Sequence, residues 1–179
     1  MRYDQIVPIL EKKKPKVSVE IGVHKGHRAK IIAAYSGMYY GFDVWEKGDA
    51  ALDKAEYNGK GRSTRKDASD SLKGHAHELI QGFTQDTLPE FVKRGVLVDF
   101  AFVDGGHAKD TIASDWQFLS QILAPGATVV FDDHYTPESP LYGCNETIRG
   151  LKHVLLPRTD TTPDGWTCRL AVVEWEGCE

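Results

Sequence analysis

The chain has 179 residues, 41% of them apolar and 27% charged, which is the size and make-up of a globular domain with one continuous core. A formal net charge of -4, spread along the sequence, offers no basic footprint for nucleic acid or for an anionic membrane surface. No apolar run reaches the roughly 18 residues of a bilayer span, the N-terminus has the wrong order of charge and apolarity for a signal peptide, and Cys144, Cys168 and Cys178 contain no CxxC pair, so the expectation is a cytoplasmic protein without disulfides or a zinc-thiolate site.

Short β-branched and aromatic runs read as strands at Val17 to Gly22, Tyr39 to Val44, Glu78 to Gly82, Val98 to Asp104, Ala127 to Asp133 and Arg169 to Trp175. Helical segments alternate with them: Gly26 to Tyr35, Asp86 to Arg94, Ala108 to Leu123 and Asn145 to Leu151. Strands alternating with helices imply a mainly parallel, doubly wound, Rossmann-like α/β sheet with helices on both faces, and no linker or repeat divides residues 1–179. The runs at Val17 and Val98 are nearly continuous in apolar character, as expected for neighbouring central strands. Residues 45–75 are polar with little periodicity and are expected to form a lid or substrate loop, a solvated crossover being the alternative.

In such a sheet ligands bind beyond the carboxyl ends of the strands, where strand order reverses. The first strand runs Glu20-Ile21-Gly22-Val23-His24-Lys25-Gly26 into a helix, and its glycines permit a tight turn and a close approach of ligand to main chain. Asp43 ends the second strand at the distance where a carboxylate grips the two ribose hydroxyls of a nucleoside. His24 stands where a dinucleotide turn needs its middle glycine, and no Walker lysine is present, so pyrophosphate ligands are disfavoured. Glu20 repels phosphate but suits a ligand with an ammonium and a sulfonium, and S-adenosylmethionine carries both. His24 and His27 read as surface or helix-start residues.

The fourth and fifth strands end in Asp104-Gly105-Gly106-His107 and Asp132-Asp133-His134. Three carboxylates at one sheet edge are costly unless a cation sits among them, and an all-oxygen set points to Mg²⁺, with Ca²⁺ or Mn²⁺ as substitutes. Adjacent acids alternate faces, so Asp132 and Asp133 need not converge. His107 lies three residues past Asp104, within reach as a general base, with helix capping or substrate positioning as its other reading.

The pattern V-E-I-G-x-x-x-G, Y-G-F-D, F-V-D-G-x-H, a helix with D-W, and L-x-P-G-x-x-x-x-D-D, over about residues 17–134, resembles the class I S-adenosylmethionine-dependent O-methyltransferases, within them the metal-dependent macrocin and novobiocin type that acts on sugars. The resemblance implies cofactor contacts at Glu20, Gly22, Gly26, Asp43, Asp104 and, near the adenine, Thr84 and Asp86. It implies a metal on Asp104, Asp132 and Asp133, catalytic roles for Asp104 and His107, and a small acceptor such as a sugar-like or phenolic diol. A metal-dependent hydrolase built on Asp104, His107, Asp132 and His134, and a non-catalytic nucleoside-binding module, are the alternatives; the sequence leaves self-association open.

Overall fold

The computed structural model describes residues 2–47, 63–162 and 165–177. A 3-10 turn, Arg2–Ile6, leads into α1 (Val7–Lys13), β1 (Val17–Ile21), α2 (His27–Ala34) and β2 (Met38–Asp43). After a short turn at Trp45–Lys47 come α3 (Arg65–Ser71), β3 (His77–Gln81), α4 (Thr84–Val92), β4 (Val98–Val103) and α5 (Lys109–Leu119). A 3-10 turn at Ser120–Ile122 precedes β5 (Leu123–Thr136), α6 (Asn145–Ile148), β6 (His153–Thr161) and β7 (Thr167–Glu174).

Among the described residues the strands form one seven-stranded sheet in the order β3-β2-β1-β4-β5-β7-β6. The first five are parallel; β7 enters antiparallel between β5 and β6. As the sequence implied, β1 and β4 are central neighbours, with Glu20 beside Phe102 and Ile21 beside Val103. Strand order reverses between them, which opens a crevice at their carboxyl ends.

The strand period of two sorts the core into two layers. Val19, Ile21, Phe42, Ala101, Val103, Val129 and Phe131 face α4 and α5, meeting Leu88, Phe91, Ile112 and Leu119. Tyr39, Phe100, Phe102 and Val130 face the other way, onto Ile6, Leu10, Ala29, Ile32 and Leu72. Full burial on both faces is what a continuous apolar strand encodes, and burying each such side chain is worth about 1.5–3 kcal/mol before ordering costs.

Three differences from the sequence expectation have local causes. The helix expected from Ala108 to Leu123 ends at Leu119, because Pro125 biases Ala124 to extended backbone and Leu123 already pairs with Val98. The helix expected from Asp86 begins at Thr84. β6 carries no strand signal: it is an edge strand, most of its residues are exposed, and Pro157 falls where its register against β7 shifts. Of the expected loop at residues 45–75, residues 48–62 lie outside the described part. The remainder includes α3, which opens with a capping box in which Thr64 and Asp67 each accept from the other's backbone N–H.

Candidate cofactor and active site

The turn after β1 brings main chain from two strands into contact. Gly22 donates its N–H to the Phe42 carbonyl at 2.9 Å, and Asp104 N–H donates to Ile21 O at 2.8 Å. At Gly22, with φ +89°, an added Cβ would lie 1.8 Å from the Asp104 carbonyl oxygen, so only glycine lets β1 and β4 close here. Gly26 begins α2 and rests against Ala68 and Ser71 of α3.

Asp43 is held by main chain. One carboxylate oxygen accepts from His24 N–H at 2.7 Å, the other from Trp45 N–H at 2.9 Å, and the Trp45 indole donates to His24 O. The group is thereby aimed into a cleft lined by Gly22, Asp43, Gly82, Thr84, Gly105 and Thr111, among others, with about 650 Å³ of empty space, mouth included.

Glu20 does not line the cleft. It is wholly buried on the opposite sheet face, accepting from Arg28 Nε at 2.6 Å and from the Tyr39 hydroxyl. The same guanidinium donates to Asp104 at 2.6 Å and to Gly22 O at 2.8 Å, and lies 4.1 Å from the Phe102 ring centroid. Burial pushes the Glu20 carboxyl above its usual range, and Arg28 and Tyr39 oppose that. One arginine thus ties the ends of β1 and β4 together around the glycine turn.

The ends of β4 and β5 divide the other acids. Asp132 accepts from Arg2 at 2.9 Å and from Tyr3 at 2.7 Å, while its other oxygen accepts from Asp133 N–H at 2.7 Å. Burial, then Asp133 and Asp104, push its pKa up against the pull of Arg2 and Tyr3. Asp133 sits at φ 60° where the β5–β7 register shifts, and so leaves the strand alternation. Its carboxylate meets His107 Nε2 at 3.3 Å and the Cys168 thiol at 3.3 Å. His107 Nε2 is 3.9 Å from Asp104.

Ligand atoms of Asp104, His107 and Asp133 lie within 4.8 Å of one another, a fit for one divalent cation; Asp132 groups instead with Asp133 and Cys168. The polar stretch after β5 folds back over this end: Gly143 N–H donates to His107 O, Cys144 N–H to Asp133 O and Lys109 N–H to Leu141 O.

Of the residues expected near the adenine, Thr84 lines the cleft, while Asp86 is exposed and lies outside its lining. His24 takes a left-handed conformation at φ 53°, and His27 is exposed at the start of α2. His134 points at Asn145, 3.3 Å away, and at the His153 ring, 5.9 Å between centroids. Cys144 and Cys168 are buried and free, and Cys178 lies outside the described residues.

Sequence reasoning missed Arg2, Tyr3, Arg28, Tyr39 and Trp45. A signal existed for one of them: a glutamate inside an otherwise apolar central strand demands a buried cationic partner. Nothing local marks Arg2, whose partner is 130 positions away.

A family described as a methyltransferase domain matches residues 19–134. No curated protein matches the chain. Among solved structures, cofactor-bound Rv0187 from MTB superposes with TM-score 0.71 at 17% identity, covering 98% of this chain and 80% of that one. The O-methyltransferase TomG from Streptomyces achromogenes, in complex with SAM, gives 0.67 at 18% identity, covering 97% and 79%. The N-methyltransferase NodS from Bradyrhizobium japonicum WM9, in complex with S-adenosylhomocysteine, gives 0.70 at 15%, covering 97% and 85%.

Proposed function

Because the chain belongs to the family of methyltransferase domains, we propose that it transfers the methyl group of S-adenosylmethionine to a hydroxyl oxygen of a small molecule, with a sugar-like or phenolic diol as acceptor. The observation that carries this reading is Asp43. Both its oxygens are fixed by main-chain donors, and it faces the cleft at the point where strand order reverses. Its remaining lone pairs are free to accept from two ribose hydroxyls.

Charge supports the amino-acid end of the same ligand. Asp104, Asp132 and Asp133 gather at the ends of β4 and β5, beside Arg28, Arg2 and His107, and three acids so close favour added positive charge. A sulfonium and an ammonium supply it. Asp104, anchored on Arg28 through one oxygen, is placed between the cofactor turn and His107.

The donor set at Asp104, His107 and Asp133 also fits a divalent ion, Mg²⁺ or Mn²⁺ from two carboxylates and an imidazole, with Asp132 next to it. Bound there, the ion would lower the pKa of an acceptor hydroxyl. With the His107 nitrogen engaged by that ion the hydroxyl proton would pass to solvent; without the ion, His107 takes the proton and hands it to solvent. The oxygen lone pair forms the new C–O bond as the S–CH₃ bond breaks and its electrons stay on sulfur, leaving S-adenosylhomocysteine. Alignment of the two ligands supplies much of the rate, and no covalent enzyme intermediate is needed.

The test is calorimetry with S-adenosylmethionine, followed by transfer of labelled methyl to a panel of diols. Binding at micromolar ligand, abolished by Asp43→Ala and retained after EDTA treatment, is expected; absence of binding by the unmodified protein overturns the reading. Loss of transfer, with cofactor binding intact, is expected for Asp133→Ala.

A further inference from the structure

The D-W pair of α5 divides its labour. Trp116 enters the core, edge-on to Phe131 at 5.6 Å and to Trp175 at 5.4 Å. Asp115 beside it is only 1% exposed, and neither oxygen makes a well-formed hydrogen bond. Burial this deep opposes ionisation of the carboxyl, so a merely structural place would be filled better by an apolar residue such as Leu.

Where it points gives the reason. Thr111 lines the cleft, and Asp115 follows it by four residues, on the same helix face one turn deeper. Helical side chains lean toward the N-terminus, here toward the cleft. The Asp115 Oδ2 atom lies 3.6 Å from where a Gly105 Cβ would be, and the Thr84 side chain is the polar group that approaches its carboxyl. Thr84 and Gly105 are both cleft walls.

We propose that Asp115 is a positioning residue of the nucleoside slot, its buried carboxyl backing Thr84 and packing behind Gly105 where the two wall the base. The inference rests on the nucleoside reading given above and adds to it a residue that touches neither cofactor nor acceptor. Burial pushes the Asp115 pKa up to about 7, with Thr84 pulling it down. The titratable groups on the surrounding elements are Asp86 and Glu90 on α4, Lys109 and Asp110 on α5, Glu146 and Arg149 on α6, and Asp104 and His107 after β4; Asp86, Glu90, Asp110, Glu146 and Arg149 are exposed. A base seated against the wall removes more water from the carboxyl and favours its neutral form.

The probes are S-adenosylhomocysteine and 5′-methylthioadenosine, the second having no amino acid to titrate, with affinity measured by calorimetry from pH 5.5 to 8.5. For the wild type, 5′-methylthioadenosine binding is expected to weaken as pH rises past about 7, by at most about tenfold per pH unit. D115N should bind within about threefold of wild type at pH 6 and lack that slope. D115L and T84V should each weaken both ligands about tenfold, and the double variant no more than either alone, because one contact is lost once. A wild type that binds neither ligand overturns the nucleoside reading and this inference with it. A wild type that binds without a pH slope, a slope that survives in D115N, or additive losses in the double variant overturns this inference alone; should D115L fail to fold, D115N and T84V decide it.

Discussion

Arg28 answers two carboxylates and a carbonyl at once, and its side chain is 12% exposed while Glu20 has none of its side chain in water. Removing the guanidinium takes the arginine cation from both acids at once, and breaking a buried pair in this way costs about 3–5 kcal/mol. Arg28→Met is therefore expected to lower the thermal midpoint by at least about 6 °C, read by circular dichroism. Asp115 makes a prediction of the opposite kind. Its folded pKa of about 7 lies above the unfolded value, so the folded state binds the extra proton. The stability it contributes is present below the unfolded value, about 3.9, and is lost as pH rises through about 7, by roughly 4 kcal/mol at most. In urea titrations D115N should flatten the decline in stability between pH 4 and pH 7. These two residues also mark the limit of local reading: Asp43 was identifiable from its distance to the glycine turn, whereas the partner of Asp104 is 76 positions away in sequence.

Strand ends and turns, one level up, carry the site. Gly22 joins β1 to β4 by a contact that no side chain tolerates, so Gly22→Ala should separate the two strand ends, cost several kcal/mol and abolish S-adenosylhomocysteine binding. Far-UV circular dichroism with calorimetry checks both parts. The end of β5 shows why adjacent acids take different partners: the register shift and the positive φ of Asp133 turn its carboxylate to His107, while Asp132 keeps the strand alternation and faces Arg2 and Tyr3. Arg2→Ala, which frees Asp132 of its cation, is expected to tighten binding of Mn²⁺ to the protein, measured by titration without cofactor. Strands β1 to β5 were legible because burial on both faces or on one leaves an apolar record. β6 was not, since an exposed edge strand needs no such record and Pro157 disguises it.

Across the whole molecule, α2 and α3 close one face and α4 and α5 the other, and the cleft opens where strand order reverses. A ligand that binds only this folded arrangement must stabilise it. S-adenosylhomocysteine at 100 times its dissociation constant should add about 2.7 kcal/mol, a rise of roughly 5–10 °C in the unfolding midpoint, and EDTA should leave that rise unchanged. Among the described residues no helix is long and apolar enough to cross a membrane.

By itself the sequence determined the alternation of β1 to β5 with helices, the glycine turn, and the set of acids that end the central strands. Those features depend on periodicity and on neighbours a few residues apart, and such information is local. Only the tertiary structure decided what each acid does. Asp43 accepts from two main-chain amides, Glu20 and Asp104 share Arg28, Asp132 takes Arg2 and Tyr3, and Asp133 meets His107. A buried charge is settled by whichever opposite charge the fold brings within about 3 Å, and folding chooses that partner without regard to distance along the chain.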